Sequence, residues 1–309
     1  MAAQKVDPEE KNTGISKCAN ICYGKDKKNN KFDFYYPKNI SKPLPTIFVI
    51  HGGGYISGYK EFLARYCQML AQNNCCVVNV EYTRADGKEK KYFLDQLDEL
   101  YAMFKFVKNS KVLSPMIDFD NVFLAGDSAG AHYASLITNI QNREDLQKEF
   151  NAGYSPKVKG LILVSPCFGV FQFNNFPIKS EYEHVIFGPK ESRNPLTAKT
   201  HCIDLLGKDF PPCIMVSAKN DFVVGVHRDM FLKKAQELEL TVKHYNVVKG
   251  YKLFHDAMIN YPSHYPLVIE SINKFVNDCV NGTLTKGFEN TNISETVKTL
   301  EPVENTLAE

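Results

Sequence analysis

The stretch Asn121-Val-Phe-Leu-Ala-Gly-Asp-Ser-Ala-Gly-Ala-His132 decides how the rest of the chain is read. Its opening is an apolar run of strand length, and from Ala129 to about Asn142 the apolar residues fall at helical spacing. Gly126 to Gly130 therefore span a strand-to-helix turn. G-x-S-x-G in that setting is a nucleophile elbow: Ser128 takes a strained backbone conformation that projects its hydroxyl above the sheet, and Gly126 and Gly130 omit the side chains that would block the turn. The helix starting here aims its free N–H groups and positive dipole end at the place where an oxyanion would form. A glycine-punctuated turn with an incidental serine is the plain alternative, and the flanking strand and helix weigh against it.

Working outward, the same rhythm extends in both directions. Upstream, ISKCANICY and KFDFYYP flank a polar turn and predict an antiparallel hairpin over Gly14 to Pro37; TIFVIHGGG, a helix over Lys60 to Asn73, CCVVNVEY and a helix over Tyr92 to Lys108 follow. Downstream come LILVSPC, CIMVSA, a helix near Val226 to Leu238, TVKHYNVV and a closing helix from Pro266 to Cys279. Alternating strands and helices predict an α/β fold with a mostly parallel central sheet covered on both faces, as one domain over residues 1–280. Two stretches break the rhythm. Residues 168–210, rich in Phe, Pro and Asn, read as a cap insertion, and residues 281–309, acidic and poor in aromatics, as a flexible tail.

A second motif, His51-Gly-Gly-Gly-Tyr55, directly follows the strand TIFVI. Glycines let the backbone approach a bound ester closely, so the N–H groups of Gly52, Gly53 and Ala129 are the candidate oxyanion hole, with His51 organising the loop. A plain Gly-rich turn and a phosphate loop are the other meanings of such glycines, and for the latter the G-K-S/T ending and the Rossmann spacing are both missing. With HGGG and GDSAG together, the chain from about Lys31 to Cys279 resembles the α/β-hydrolase superfamily and, within it, the hormone-sensitive-lipase-like carboxylesterases. The resemblance implies an α/β-hydrolase fold and a serine carboxylesterase acting on short or medium acyl esters without a cofactor. Where those esterases carry a Tyr-Arg-Leu-Ala-Pro-Glu type segment after the next strand, this chain reads EYTRADGKEKK, which tilts the resemblance toward bacterial-type lipases and hemicellulose-deacylating relatives.

A serine hydroxyl needs a base to take its proton, so an acid and a histidine should follow in the order Ser, Asp or Glu, His. Asp221, just beyond CIMVSA, stands where the resemblance places the acid; Asp229 is the competitor, but falls inside a predicted helix. His255 lies in the loop between TVKHYNVV and the last helix, where the base belongs. His244 falls within a strand, and His132 is carried beneath the elbow by helical geometry, so both read as structural; His184, His201, His227 and His264 have no supporting context and read as solvated or structural. Tyr55, Phe222 and Val223 adjoin motif residues and are candidate substrate contacts, with Phe168, Phe171, Phe173 and Phe176 closing over an apolar group. Asp127 reads as an anchor for the elbow.

Composition excludes several classes. In 309 residues, 37 Lys plus Arg against 35 Asp plus Glu leave a formal charge of +2, too small to predict nucleic-acid binding. No apolar run reaches the roughly 18 residues of a membrane span, and the N-terminal MAAQKVDPEEKNTG lacks a signal-like stretch, so the expected compartment is the cytosol. Nine cysteines predict no disulfide framework, and the Cys18 and Cys22 spacing lacks the second ligand pair of a zinc site, so no metal is expected. The expected partner is a small-molecule ester. An amidase such as an arylformamidase on the same triad, and a noncatalytic receptor on the same fold, are the competing functions.

Overall fold

Val, Ile and Phe crowd the segments that the sequence marks as strands, and β-branched and aromatic side chains fit a pleated surface buried on both faces. The computed structural model describes residues 7–85, 90–170 and 179–296. Within them the strands are β1 (Ile15–Cys22), β2 (Lys31–Pro37), β3 (Leu44–Ile50), β4 (Cys76–Val80), β5 (Ile117–Asp127), β6 (Val158–Val164), β7 (Cys213–Ala218), β8 (Val242–Lys249) and β9 (Phe288–Ser294). The helices are α1 (Ala64–Ala71), α2 (Phe93–Asn109), α3 (Ala129–Gln141), α4 (Glu144–Glu149), α5 (Lys179–Phe187), α6 (Gly225–Glu237), α7 (Ala257–Asn260) and α8 (Pro266–Asn281). One sheet holds all the strands in the order β1-β2-β4-β3-β5-β6-β7-β8-β9. The β1–β2 hairpin and the β2–β4 pair are antiparallel, and every later pair is parallel.

Period-2 alternation divides the core into two layers. Ile47, Val49, Phe123, Ala125 and Ile162 face one side, where Leu70 of α1 and Ile272 and Phe275 of α8 cover them. Phe48, Ile50, Leu124, Leu161 and Leu163 face the other, against Leu100 and Phe104 of α2 and Leu136 and Ile137 of α3. The α3 helix is buried from Ala129 to Ile140 with no polar face to solvent, because residues beyond the sheet cover its outer side. Asn139 donates to the Cys202 carbonyl at 3.1 Å, and the Cys202 N–H donates to the Phe168 carbonyl at 2.8 Å.

The stretch expected as a cap is thus partly core. Phe168 is fully buried and stacks on Phe231 of α6 with centroids 4.5 Å apart, while Phe171, Phe173 and Phe176 lie outside the described residues. The expectation of a tail from 281 needs a larger correction, since β9 falls inside it and pairs in parallel with β8. Composition hid it because an edge strand needs few apolar residues: Ile293 is the one buried position in FENTNIS. Just beyond, Glu295 is buried and accepts the Val268 N–H at 3.1 Å, satisfying an amide in the first turn of α8. No helix among the described residues is long and apolar enough to cross a membrane.

If β9 belongs to the folded core, Ile293→Ala should lower unfolding stability by about 2 kcal/mol. Urea unfolding with an unchanged m value is the measurement; a loss below about 0.5 kcal/mol, the range of neutral surface changes, would detach the strand from the core.

Candidate active site

The elbow is built by two missing side chains. A Cβ on Gly126 would lie 2.3 Å from the Gly130 carbonyl carbon, and a Cβ on Gly130 would lie 2.0 Å from the Ile50 carbonyl oxygen. Only glycine lets the start of α3 sit this close to the ends of β5 and β3. Between them Ser128 is forced to φ 48°, ψ −116°, a region costly for a residue with a side chain. Its backbone is held on both sides, the N–H donating to the Val164 carbonyl at 3.0 Å and the carbonyl accepting the Cys167 N–H at 3.1 Å.

Loops beyond β7 and β8 bring two more side chains to the serine. His255 Nε2 lies 3.0 Å from Ser128 Oγ, and His255 Nδ1 lies 2.8 Å from Asp221 Oδ2. The other carboxylate oxygen of Asp221 accepts the N–H groups of Val223 and Val224 at 3.0 and 3.1 Å. Burial works against that carboxylate, but the hydrogen bond and charge of His255 together with these amides hold it below the usual range. Asp229 is elsewhere, exposed on α6 and paired with Arg228 at 2.7 Å. For His255 burial opposes the charged ring, yet the carboxylates of Asp256 and Asp221 outweigh it and push the imidazole up to about 10.

The glycine loop runs past the same point. His51 Nδ1 donates to the Gly52 carbonyl at 2.7 Å, its ring stacks on Tyr82 at 4.3 Å, and Tyr82 donates to the His51 carbonyl at 2.8 Å. The Gly52 N–H donates to Asp127 Oδ1 at 2.9 Å, which corrects the expected oxyanion hole: this amide already has an acceptor. Asp127 instead ties the elbow to the loop, while Gly53, Gly54 and Ala129 border the cleft beside Ser128. That cleft has a volume of about 240 Å³, and Tyr55, Cys167, Tyr182, Val223, Val224, His255 and Asp256 complete its wall.

Of the expected substrate contacts, Tyr55 and Val223 line the cleft and Phe222 does not. The two amides turned toward Asp221 reverse the chain there, leaving Phe222 90% exposed. Sequence reasoning missed Cys167, Val224, Tyr182 and Asp256. Tyr182, on α5, donates to the Gly54 carbonyl at 2.7 Å and carries no motif; Asp256 adjoins the histidine and was open to notice. His132 is a satisfied structural histidine: Nε2 donates to the Thr200 carbonyl at 2.6 Å, so Nδ1 accepts from the Tyr55 hydroxyl at 2.7 Å. Burial drives its imidazole down to about 3, keeping it neutral. Among the described residues no group of three or more His, Cys, Asp or Glu is arranged to hold a metal ion.

Residues 32–235 match the profile of the BD-FAE family. "Probable carboxylesterase 1" of Arabidopsis thaliana is 31% identical over 156 residues, 46% of this chain and 46% of its own length. Isoprenylcysteine alpha-carbonyl methylesterase of the same plant is 24% identical over 212 residues, 66% of this chain and 48% of its own. The chain thus spans about half the length of these curated relatives. Among solved structures, a tributyrin phosphonate-inhibited esterase B from Lactobacillus rhamnosis superposes with a TM-score of 0.75 at 21% identity, covering 89% of this chain and 91% of that one. The likeness establishes the α/β-hydrolase fold.

Removing the Tyr55 hydroxyl strands the His132 acceptor in the core. Tyr55→Phe should therefore cost about 1–3 kcal/mol of stability, read as a lower midpoint in thermal unfolding; an unchanged midpoint would show that the bond carries no net stabilisation.

Proposed function

The chain belongs to the BD-FAE family, and from that membership we propose that it is a serine carboxylesterase hydrolysing short or medium acyl esters. The observation that carries this reading is the line of three groups from Ser128 Oγ through His255 to Asp221, at 3.0 and 2.8 Å. In the proposed reaction His255 Nε2 takes the Ser128 proton as Oγ bonds to the substrate carbonyl carbon. Asp221 stabilises the imidazolium, and the N–H groups of Gly53 and Ala129 receive the oxyanion. The ester C–O bond then breaks, the leaving alkoxide takes the proton from Nε2, and an acyl-enzyme remains. Water, deprotonated by the same imidazole, releases the acid and restores the serine.

The cleft supports the substrate range. Tyr55, Cys167, Val223 and Val224 offer a small, mostly apolar wall for an acyl group, and α5, with Tyr182 over the Gly54 carbonyl, acts as part of a cap. The short acyl chains of the tributyrin analogue bound by the bacterial esterase B are in keeping with this. The reading includes a cytosolic site of action, which the unpaired cysteines, most of them buried, favour. It includes a small ester as partner rather than nucleic acid.

On p-nitrophenyl acetate, Ser128→Ala should reduce kcat by about 10⁴-fold or more and Asp221→Asn by about 10³–10⁴-fold, with circular dichroism unchanged. Wild-type turnover by Ser128→Ala would refute the assignment. Across p-nitrophenyl esters from acetate to dodecanoate, kcat/KM should peak among the short and medium chains; a steady rise to dodecanoate would contradict the proposed pocket. Faster cleavage of anilides or formylkynurenine than of any ester would make the protein an amidase.

A further inference from the structure

Two oxygens claim the same nitrogen of His255. Nε2 lies 3.0 Å from Ser128 Oγ and also 3.0 Å from Asp256 Oδ2. We propose that Asp256 is a positioning residue that holds a proton on the serine-facing nitrogen of the base, and so sets the pH at which the hydrolase turns on. The proposal rests on His255 being the general base.

Nδ1 carries a hydrogen, because it faces a carboxylate oxygen of Asp221 whose partner oxygen is held by two amides. A bare Nε2 would accept the Ser128 hydroxyl, but a carboxylate oxygen is an acceptor too, so two lone pairs would meet at 3.0 Å. A proton on the line between Nε2 and Oδ2 removes that conflict. It also fills the lone pair on which deprotonation of Ser128 depends.

Asp256 is held in this position by its backbone. It takes the left-handed conformation at φ 59°, ψ 13°, and its carbonyl accepts the N–H groups of Ile259 and Asn260 at 3.2 and 3.1 Å as α7 begins. Its side chain is 13% exposed, and Oδ1 is buried with no hydrogen-bond partner among the described residues, so solvent does little to draw the carboxyl away.

The surrounding carboxyl groups act unequally on the ring. Among the described residues, the acidic groups in contact with the imidazole are Asp221 from the loop after β7 and Asp256 from its own loop, and Asp127 at the end of β5 interacts with it only through space. Asp127 and Asp256 both border a cavity of about 110 Å³ behind the glycine loop, and burial followed by mutual repulsion raises Asp127 well above the usual carboxyl range. His51, on the far wall, lies 3.4 Å from Glu81. Tyr55, Tyr182 and Cys167, the remaining ionisable neighbours in the cleft, are raised by burial and stay neutral. Burial raises the Asp256 carboxyl while the charge and hydrogen bond of His255 lower it, and a proton held between Nε2 and Oδ2, with the Nδ1 hydrogen on Asp221, satisfies both nitrogens of the ring. Raising the pH transfers the Nε2 proton to hydroxide, giving water and freeing the lone pair for the Ser128 O–H.

The test compares the full-length wild type with Asp256→Asn and Asp256→Gly, replacements that both tolerate a left-handed backbone. Two readouts are taken across roughly pH 5 to 10: kcat/KM on p-nitrophenyl acetate, whose acid limb reports the free enzyme's base, and NMR titration of the His255 ring, identified by its loss in His255→Gln. The wild-type limb and ring titration should lie well above the roughly 6.5 of an ordinary histidine, and both variants should move them down by about one unit or more, raising kcat/KM near neutral pH about tenfold. A wild-type ring titrating at about 6 to 7 and unmoved in both variants would overturn the proposal. So would variants that lose kcat at every pH with the limb unmoved, the behaviour of a residue that only supports the loop. A wild type with no ester turnover at any pH would instead sink the hydrolase reading, leaving the ring titration to decide the role of Asp256.

Discussion

A side chain at residue 130 has no room to exist. Its Cβ would lie 2.0 Å from the carbonyl oxygen of Ile50, the last residue of β3, and this contact between two backbones fixes most of what lies above the sheet. It sets where α3 starts, and with Gly126 it leaves Ser128 no conformation but a left-handed one, at a cost on the order of 1–3 kcal/mol that the surrounding strand bonds offset. Because the glycine loop continues directly from Ile50, the same contact sets where that loop leaves the sheet. The Asp127 side chain then fastens the first loop amide beside Ser128. Serine and loop are therefore tied twice within a few residues.

Asp221 and His255 reach Ser128 through strand order. β7 and β8 are parallel neighbours beyond β6, so the loops at their carboxyl ends open on the same edge as the end of β5. The carboxylates gathered there differ in how they are satisfied. Asp221 has hydrogen-bond partners on both oxygens and stays ionised, whereas buried Asp127 is pushed toward its neutral form. Asp256, one of whose oxygens has no partner among the described residues, leans on the imidazole.

Much of this was legible in the residues. GDSAG and HGGGY are short motifs recognisable by their own spacing, and strand periodicity located the segments that deliver Asp221 and His255. What stayed hidden depends on longer-range partners. The commitment of the Gly52 amide follows from a side chain 75 residues away, and the outward turn of Phe222 from amides captured by Asp221. β9 carries one buried residue, Ile293, so its pattern is indistinguishable from a solvated tail until β8 is beside it. Tyr182 and Cys167 come to the cleft from segments without motifs, placed by tertiary packing alone.

The proposed chemistry turns on Ser128 being a nucleophile activated by His255. Mass spectrometry after treatment with diethyl p-nitrophenyl phosphate at alkaline pH addresses it most directly, because phosphorylation records nucleophilicity without regard to the natural substrate. One adduct per chain is expected, on the peptide bearing Ser128, and none on the same timescale in His255→Ala. An adduct on another residue, or equal labelling of Ser128 with and without the imidazole, would contradict it.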